Sequence, residues 1–293
     1  MKGEMNMTDI ILTVESGSDI PQELAQRYGI YVVPMHITFG DDTKDDGAFP
    51  VTDICDYYSA TGKIPKTSGC TPDDFITVFD KIHREHPDKS ILHLAYSAVT
   101  TCSYQSAVIA AEGRDYIECV DTKHVAAGQT AVAARVAQEL EKHPEWSLKE
   151  AAHHAEEISA SVKMCFMPKD LSYLRAGGRV SNAAALIGAV LNIHPVIELQ
   201  NGYLVAAKKL RGKMQRMIPK LIEEYVVSNN MDRETIWLEY TTGLPEESKQ
   251  IAEATARRLG FRTIERVYAG GVITTHGGPG AFAIAGYSQS KEP

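Results

Sequence analysis

His276 heads the densest run of special residues in the chain, with Gly277, Gly278, Pro279 and Gly280 directly after it. Glycines admit positive φ and let bare backbone N–H groups close on an anion, and proline fixes the direction of the turn. An imidazole beside such a backbone can hydrogen-bond a carboxylate or phosphate, or pass a proton. The same residues also describe a tight turn with a solvated histidine. The β-branched run at 272–275 predicts a strand that delivers the histidine, and the alternation Ala281, Phe282, Ala283, Ile284, Ala285 predicts a further strand or short helix.

Hydroxyl-rich turns supply the other candidates. Thr67, Ser68 and Thr71 flank Gly69 and Cys70 just before Pro72, Asp73 and Asp74 open a helix. Hydroxyls and N–H groups at such a junction hold a carboxylate, aided by the helix N-terminus; Thr71 equally serves as a plain N-cap. Ser97, Thr100, Thr101 and Ser103 form a second such turn, and Asp121 with Thr122 a third. Several polar turns at one edge of a parallel sheet make a binding site, whereas one alone means little. Arg179, after Gly177 and Gly178, is a candidate partner for an anion, or for a carboxylate across a domain interface. Signatures of bond-breaking chemistry are missing: no GxxxxGK[ST], no GxSxG, no HExxH and no GxGxxG after a strand.

Composition narrows the partners. At 293 residues with 44% hydrophobic content, the chain is long enough to divide into two cores. A net charge of −8 without a basic stripe argues against nucleic acid, which binds through phosphate neutralisation. Cys55, Cys70, Cys102, Cys119 and Cys165 are odd in number and form no CxxC pair. They read as reduced thiols rather than a disulfide framework, a redox centre or a metal site. The opening MKGEMNM has no apolar core, and no run reaches the ~18 apolar residues of a membrane span. The expectation is a cytoplasmic chain with no membrane span.

The elements that must position these residues follow from periodicity. Strands expected at 10–14, 31–39, 91–96 and 116–120 alternate with helices at 21–28, 51–61, 72–85, 104–112 and 130–142. That alternation predicts a three-layer α/β unit with a parallel sheet and ligands at the carboxyl ends of its strands. After a helix at 147–161 and a strand at 162–167 the pattern changes, with Asn201 and Gly202 forming a type I′ hairpin turn between two strand-like runs. The reading is an N-terminal α/β domain over residues 8–165 joined to a smaller C-terminal α+β domain over 166–293. An almost wholly apolar stretch at 183–197 fits a tunnel lining or a buried helix.

Across nearly its whole length the chain resembles the DegV family of bacterial fatty-acid-binding proteins. The resemblance is carried by Glu15 and Ser16 at a strand end, PKTS at 65–68, YQSA at 104–107, Asp121 with Thr122, LRAGGRVS at 174–181 and HGGPGA at 276–281. It implies an α/β domain and a smaller α/β domain with one long-chain fatty acid in a tunnel between them, and no cofactor. It further implies that hydroxyls hold the carboxylate, and that a separate fatty acid kinase subunit receives the ligand and makes the acyl phosphate. Residue by residue it points to Thr67, Ser68, Ser97, Thr101 and His276; the bare backbone at Gly278 and the cation of Arg179 complete the candidate set. Ser97 and Ala98 stand where the family commonly has Ser-Ser, Gly69, Cys70 and Thr71 where it has Gln-Pro-Ser, and His194 where a lysine is common. Such a protein is a lipid-binding carrier that catalyses nothing itself. The alternative is an enzyme of a small phosphorylated or carbonyl substrate with His276 as its catalytic residue.

Overall fold

A computed structural model describes residues 9–169, 171–180 and 193–289; most of the apolar stretch at 183–197 lies outside the described residues. In chain order the strands are β1 (Ile10–Glu15), β2 (Tyr31–Val33), β3 (His36–Phe39), β4 (Asp42–Asp45), β5 (Lys66–Ser68), β6 (Ser90–Ala95), β7 (Ile117–Asp121), β8 (Val162–Met167), β9 (Ile193–Gln200), β10 (Tyr203–Arg211), β11 (Met231–Tyr240), β12 (Thr263–Tyr268) and β13 (Phe282–Ser288). The helices are α1 (Gln22–Tyr28), α2 (Thr52–Thr61), α3 (Pro72–Glu85), α4 (Ser103–Ala111), α5 (Ala126–Lys142), α6 (Leu148–Ser161), α7 (Leu171–Gly177), α8 (Met214–Ser228), α9 (Glu246–Arg258) and α10 (Gly271–Gly277).

β2, β1, β6 and β7 lie side by side in that order, all parallel. Helices α3 and α4 cover one face and α5 and α6 the other, which is the expected three-layer unit. Ile10, Leu12 and Val14 face the core under α5 and α6, while Ile11 joins the core under α3, so one continuous apolar run serves both faces.

Helix α3 starts where the sequence places it, because its first turn is capped twice. Thr71 Oγ1 accepts the Asp74 N–H at 3.3 Å, and the Asp74 carboxylate accepts the Thr71 N–H at 2.7 Å. Phe75, Phe79 and Ile82 then recur on its buried face. Thr71→Ala is expected to lower the unfolding free energy by about 1 kcal/mol; an unchanged urea midpoint would show that the cap contributes nothing.

The second sheet runs β10-β9-β8-β13-β11-β12, antiparallel except for the β11–β12 pair. Helices α8 and α9 share a core with one face. The β9–β10 hairpin turns through Asn201 and Gly202 at φ 50° and 83°, the two positive values that a type I′ turn requires. The division expected between residues 165 and 166 falls inside β8, which by register pairs with β9 and β13. Helix α5 lies between the sheets, touching β1 and β6 on one side and β8, β11 and β13 on the other. Its buried alanines, Ala127, Ala131, Ala133 and Ala134 among them, let both sheets close on a single helix.

Two local expectations are corrected, and one strand, β4, had no counterpart among them. The strand expected at 31–39 breaks at Pro34 into β2 and β3, and β3 leaves the parallel sheet to pair with β4 and β5 in a small antiparallel one. β4 is exposed at every position and carries no apolar signal. The β-branched run at 272–275 is helical, inside α10.

Candidate functional site

The site begins with the register of the six-stranded sheet. Ala283 of β13 faces Phe166 of β8 on one side and Glu239 of β11 on the other, and Ala285 faces Met164 and Trp237. The alternation in β13 sends Phe282 and Ile284 into the core shared with α8 and α9, and leaves the alanines on the opposite face. Small side chains between large ones make a trough. Met35, Tyr96, Val125 and residues of α10 roof it over and turn it into a cavity.

Helix α10 is docked onto the parallel-sheet unit at its N-terminus. Asp19 Oδ1 accepts the Gly270 N–H and Asp46 Oδ1 accepts the Gly271 N–H, both at 2.8 Å. Carboxylates at that end complement the helix dipole and satisfy donors that the helix itself cannot. A Cβ at Gly271 would sit 2.7 Å from Asp46 Oδ1, so glycine is what permits this approach.

One turn later the helix presents His276, whose Nε2 lies 2.8 Å from Thr67 Oγ1 on β5. Burial above all, and then the charge of Arg179, push its pKa down to about 4, so the ring is neutral at pH 7. A proton on Nε2 lets the ring donate to Thr67 and frees the Thr67 O–H for a ligand. Nδ1 is shut off from solvent without a hydrogen-bond partner among the described residues. It packs so closely on Gly177 that a Cβ there would come within 2.2 Å. Arg179 donates to the Gly177 carbonyl at 2.7 Å, which holds the guanidinium at the cavity wall.

Thr67, Ser68, Thr101, Arg179 and His276 all line this cavity. The two hydroxyl turns are pressed together through Gly69, where a Cβ would lie 2.3 Å from Thr101 Oγ1 and 2.6 Å from Ser103 Oγ. Ser103 Oγ also accepts the Cys70 N–H at 3.0 Å. Ser97 and Gly278 are placed elsewhere. The Ser97 hydroxyl is fully buried and donates to the Gly202 carbonyl at 2.9 Å, across to the β9–β10 turn. Thr100, which donates to the Ser97 carbonyl at 2.8 Å, lines the cavity in its stead. Gly278 ends α10 at φ 72°, and its carbonyl accepts from Thr241 Oγ1 at 2.7 Å. Asp121 Oδ1 accepts the N–H groups of Ala98 and Lys123, a structural use of that turn.

Glu239 and Thr241 of the cavity wall were not singled out by sequence. The available signal was a glutamate set among Ile236, Trp237, Leu238 and Tyr240 in a strand, where alternation cannot keep every neighbour's face dry unless the acid is buried too.

Residues 9–289 match the family model described as "Uncharacterised protein, DegV family". A Thermotoga maritima protein called Fatty acid-binding protein is 27% identical over 284 residues, covering 93% of this chain and 96% of the relative. Among solved structures, a DegV family protein from Thermus thermophilus, described for its fatty acid binding, superimposes with a TM-score of 0.85 at 27% identity, covering 96% of this chain and 99% of that one. The Streptococcus pneumoniae Fatty Acid Kinase (Fak) B3 protein loaded with linoleic acid has a TM-score of 0.81, covering 96% of this chain and 99% of that one. At 17% identity that last likeness is one of fold.

Proposed function

Because the chain belongs to the DegV family, matched over residues 9–289, we propose that it holds one long-chain fatty acid in the cavity between its two larger sheets and presents it to a separate kinase subunit. The observation that carries this reading is an apolar trough that meets, at Thr67 and His276, a neutral imidazole backing a free hydroxyl. The Thr67, Ser68 and Thr101 hydroxyls donate to the ligand carboxylate, and Arg179 balances its charge. Each methylene buried in the trough contributes about 0.8 kcal/mol, so affinity rises steeply with chain length. The protein itself breaks no bond; the kinase subunit transfers phosphate to the carboxylate at the hydroxyl end. An enzyme of a small polar substrate would need a compact polar pocket, and the lining of Met164, Phe166, Val125, Leu204 and Ala283 is the opposite.

Native mass spectrometry of the purified protein tests this reading. The expected result is one retained acyl chain per protein, with palmitate or oleate replacing it on incubation. Thr67→Val should weaken retention about tenfold or more, since a hydrogen bond to a charged group is worth ~1.5–3 kcal/mol. No retained or exchangeable fatty acid would overturn the proposal. Acyl phosphate forming from fatty acid, ATP and kinase subunit equally well without this protein would overturn the presentation step.

A further inference from the structure

Two separate supports bring Thr67 and His276 together, and one side chain stands between them. Thr67 belongs to β5, which leads through Gly69 and Cys70 into the capped start of α3. His276 belongs to α10, whose first N–H groups are held by Asp19 and Asp46. His36 of β3 pairs in register with Ser68 of β5, and its side chain is 16% exposed. The ring lies between two carboxylates: Nε2 is 2.9 Å from Asp74 Oδ2 on α3, and Nδ1 is 2.9 Å from Asp45 Oδ1 on β4.

Those two contacts fix the charge of the ring. A neutral imidazole has one N–H and one lone pair, so it can donate to only one of two carboxylates. With an acceptor at each nitrogen, the ring holds both protons. Partial burial works against the charge, but the hydrogen bonds to Asp74 and Asp45 outweigh it and raise the pKa above 6.5. Of the other charged groups on these elements, Lys44 is paired with Asp42 at 3.4 Å, while Lys66 and Asp73 are exposed. Each carboxylate on the ring belongs to one support. Asp74 Oδ2 also accepts the Thr71 N–H and the Thr71 hydroxyl, both at 2.7 Å, so the ring grips the cap that ends the hydroxyl turn. Asp45 directly precedes Asp46, which accepts the Gly271 N–H at the start of α10.

We propose that His36 is a positioning residue for the carboxylate anchor: with both protons it ties the Thr67 strand to the dock of α10, and on losing one it lets them slacken, so the acyl chain is held less tightly as pH rises. This rests on the fatty-acid reading above and adds the regulation of that site. The ring binds a proton more tightly in the tied arrangement than in the slack one. Affinity is therefore complete below about 6.5 and falls as pH rises through the raised value. His276, already neutral above about 4, adds nothing to the change in that window.

Palmitate titrations of the wild-type protein and His36→Gln across a pH series test the proposal. Glutamine never charges, and the ligand's own ionisation is common to both proteins, so the difference between the two curves is the quantity to read. The expected result is wild-type affinity at least about threefold above that of the variant at about pH 6, with the two converging by about pH 9. Asp45→Asn removes one of the charges that raise the pKa of the ring, so it should move the midpoint of the pH profile downward. That variant also keeps the test open if His36→Gln does not fold. Parallel curves for wild type and His36→Gln, or a midpoint that Asp45→Asn leaves in place, overturn this inference alone. Palmitate left unbound at every pH overturns the fatty-acid reading and this inference with it.

Discussion

Gly177→Ala is expected to lower the affinity for palmitate or oleate at least about tenfold while the fold survives. Two effects of the added methyl group compete. Gly177 ends α7 and is not among the glycines held at positive φ, so helix propensity alone favours alanine there by up to about 1 kcal/mol. Against that, the methyl carbon would sit 2.2 Å from His276 Nδ1, 3.1 Å from Cε1 and 3.3 Å from Cγ, far inside contact distance. The ring has to turn, and turning it breaks the 2.8 Å contact between Nε2 and Thr67. Thr67 then loses the donor that aims its O–H at the ligand, and the loss appears in binding rather than in unfolding. Ligand titration beside urea denaturation separates the two; unchanged affinity with unchanged stability would refute the role given to the ring.

Acidification should expose a second buried histidine. His124 is 6% exposed, with Nε2 3.0 Å from the Ser159 carbonyl. Burial is the main cause that lowers its pKa from 6.5 to about 4, partly offset by the bond to Ser159. A folded-state value below the unfolded one means that the contribution is complete above about 6.5 and is lost as pH falls through about 4. The loss amounts to about 3 kcal/mol at one pKa unit per ~1.4 kcal/mol. Asp19 and Glu239, whose values are raised, act with the opposite sign: their contribution is present at low pH and fades as pH rises through their folded-state values. The whole-protein curve is thereby blunted, so the informative quantity is a difference between variants. His124→Gln keeps a donor for Ser159 and never charges; it should lose about 3 kcal/mol less than wild type over that window. Parallel urea-unfolding curves for the two proteins across the pH series would contradict it.

Much of the frame was legible because it rests on local rules. The apolar run of β1, the capped start of α3 and the Asn201 and Gly202 turn each announce themselves within a few residues. What escaped was decided at a distance. The β-branched run at 272–275 favours a strand by propensity, but the Asp19 and Asp46 carboxylates, more than two hundred residues earlier, accept the N–H groups at 270 and 271 and hold it as a helix. Among the hydroxyls of the turn after β6, nothing local separates Ser97 from Thr100; the Gly202 carbonyl of the other sheet takes Ser97 and leaves Thr100 to the cavity. β4, with Asp42, Thr43, Lys44 and Asp45, has no apolar face to read and forms because β3 offers it an edge.

The place of β13 has a bearing on how the protein comes to be made. It lies between β8 and β11, so one of the latest described stretches of chain fills the middle of its sheet. During synthesis every strand of the parallel sheet has emerged by Asp121, whereas β8 and β11 must wait with open edges until 282–288 leaves the ribosome. Pairings so remote in sequence are slow to form. The trough floor and the approach of His276 to Thr67 therefore arise late and together, and a nascent chain short of Phe282 lacks the cavity proposed to hold the acyl chain.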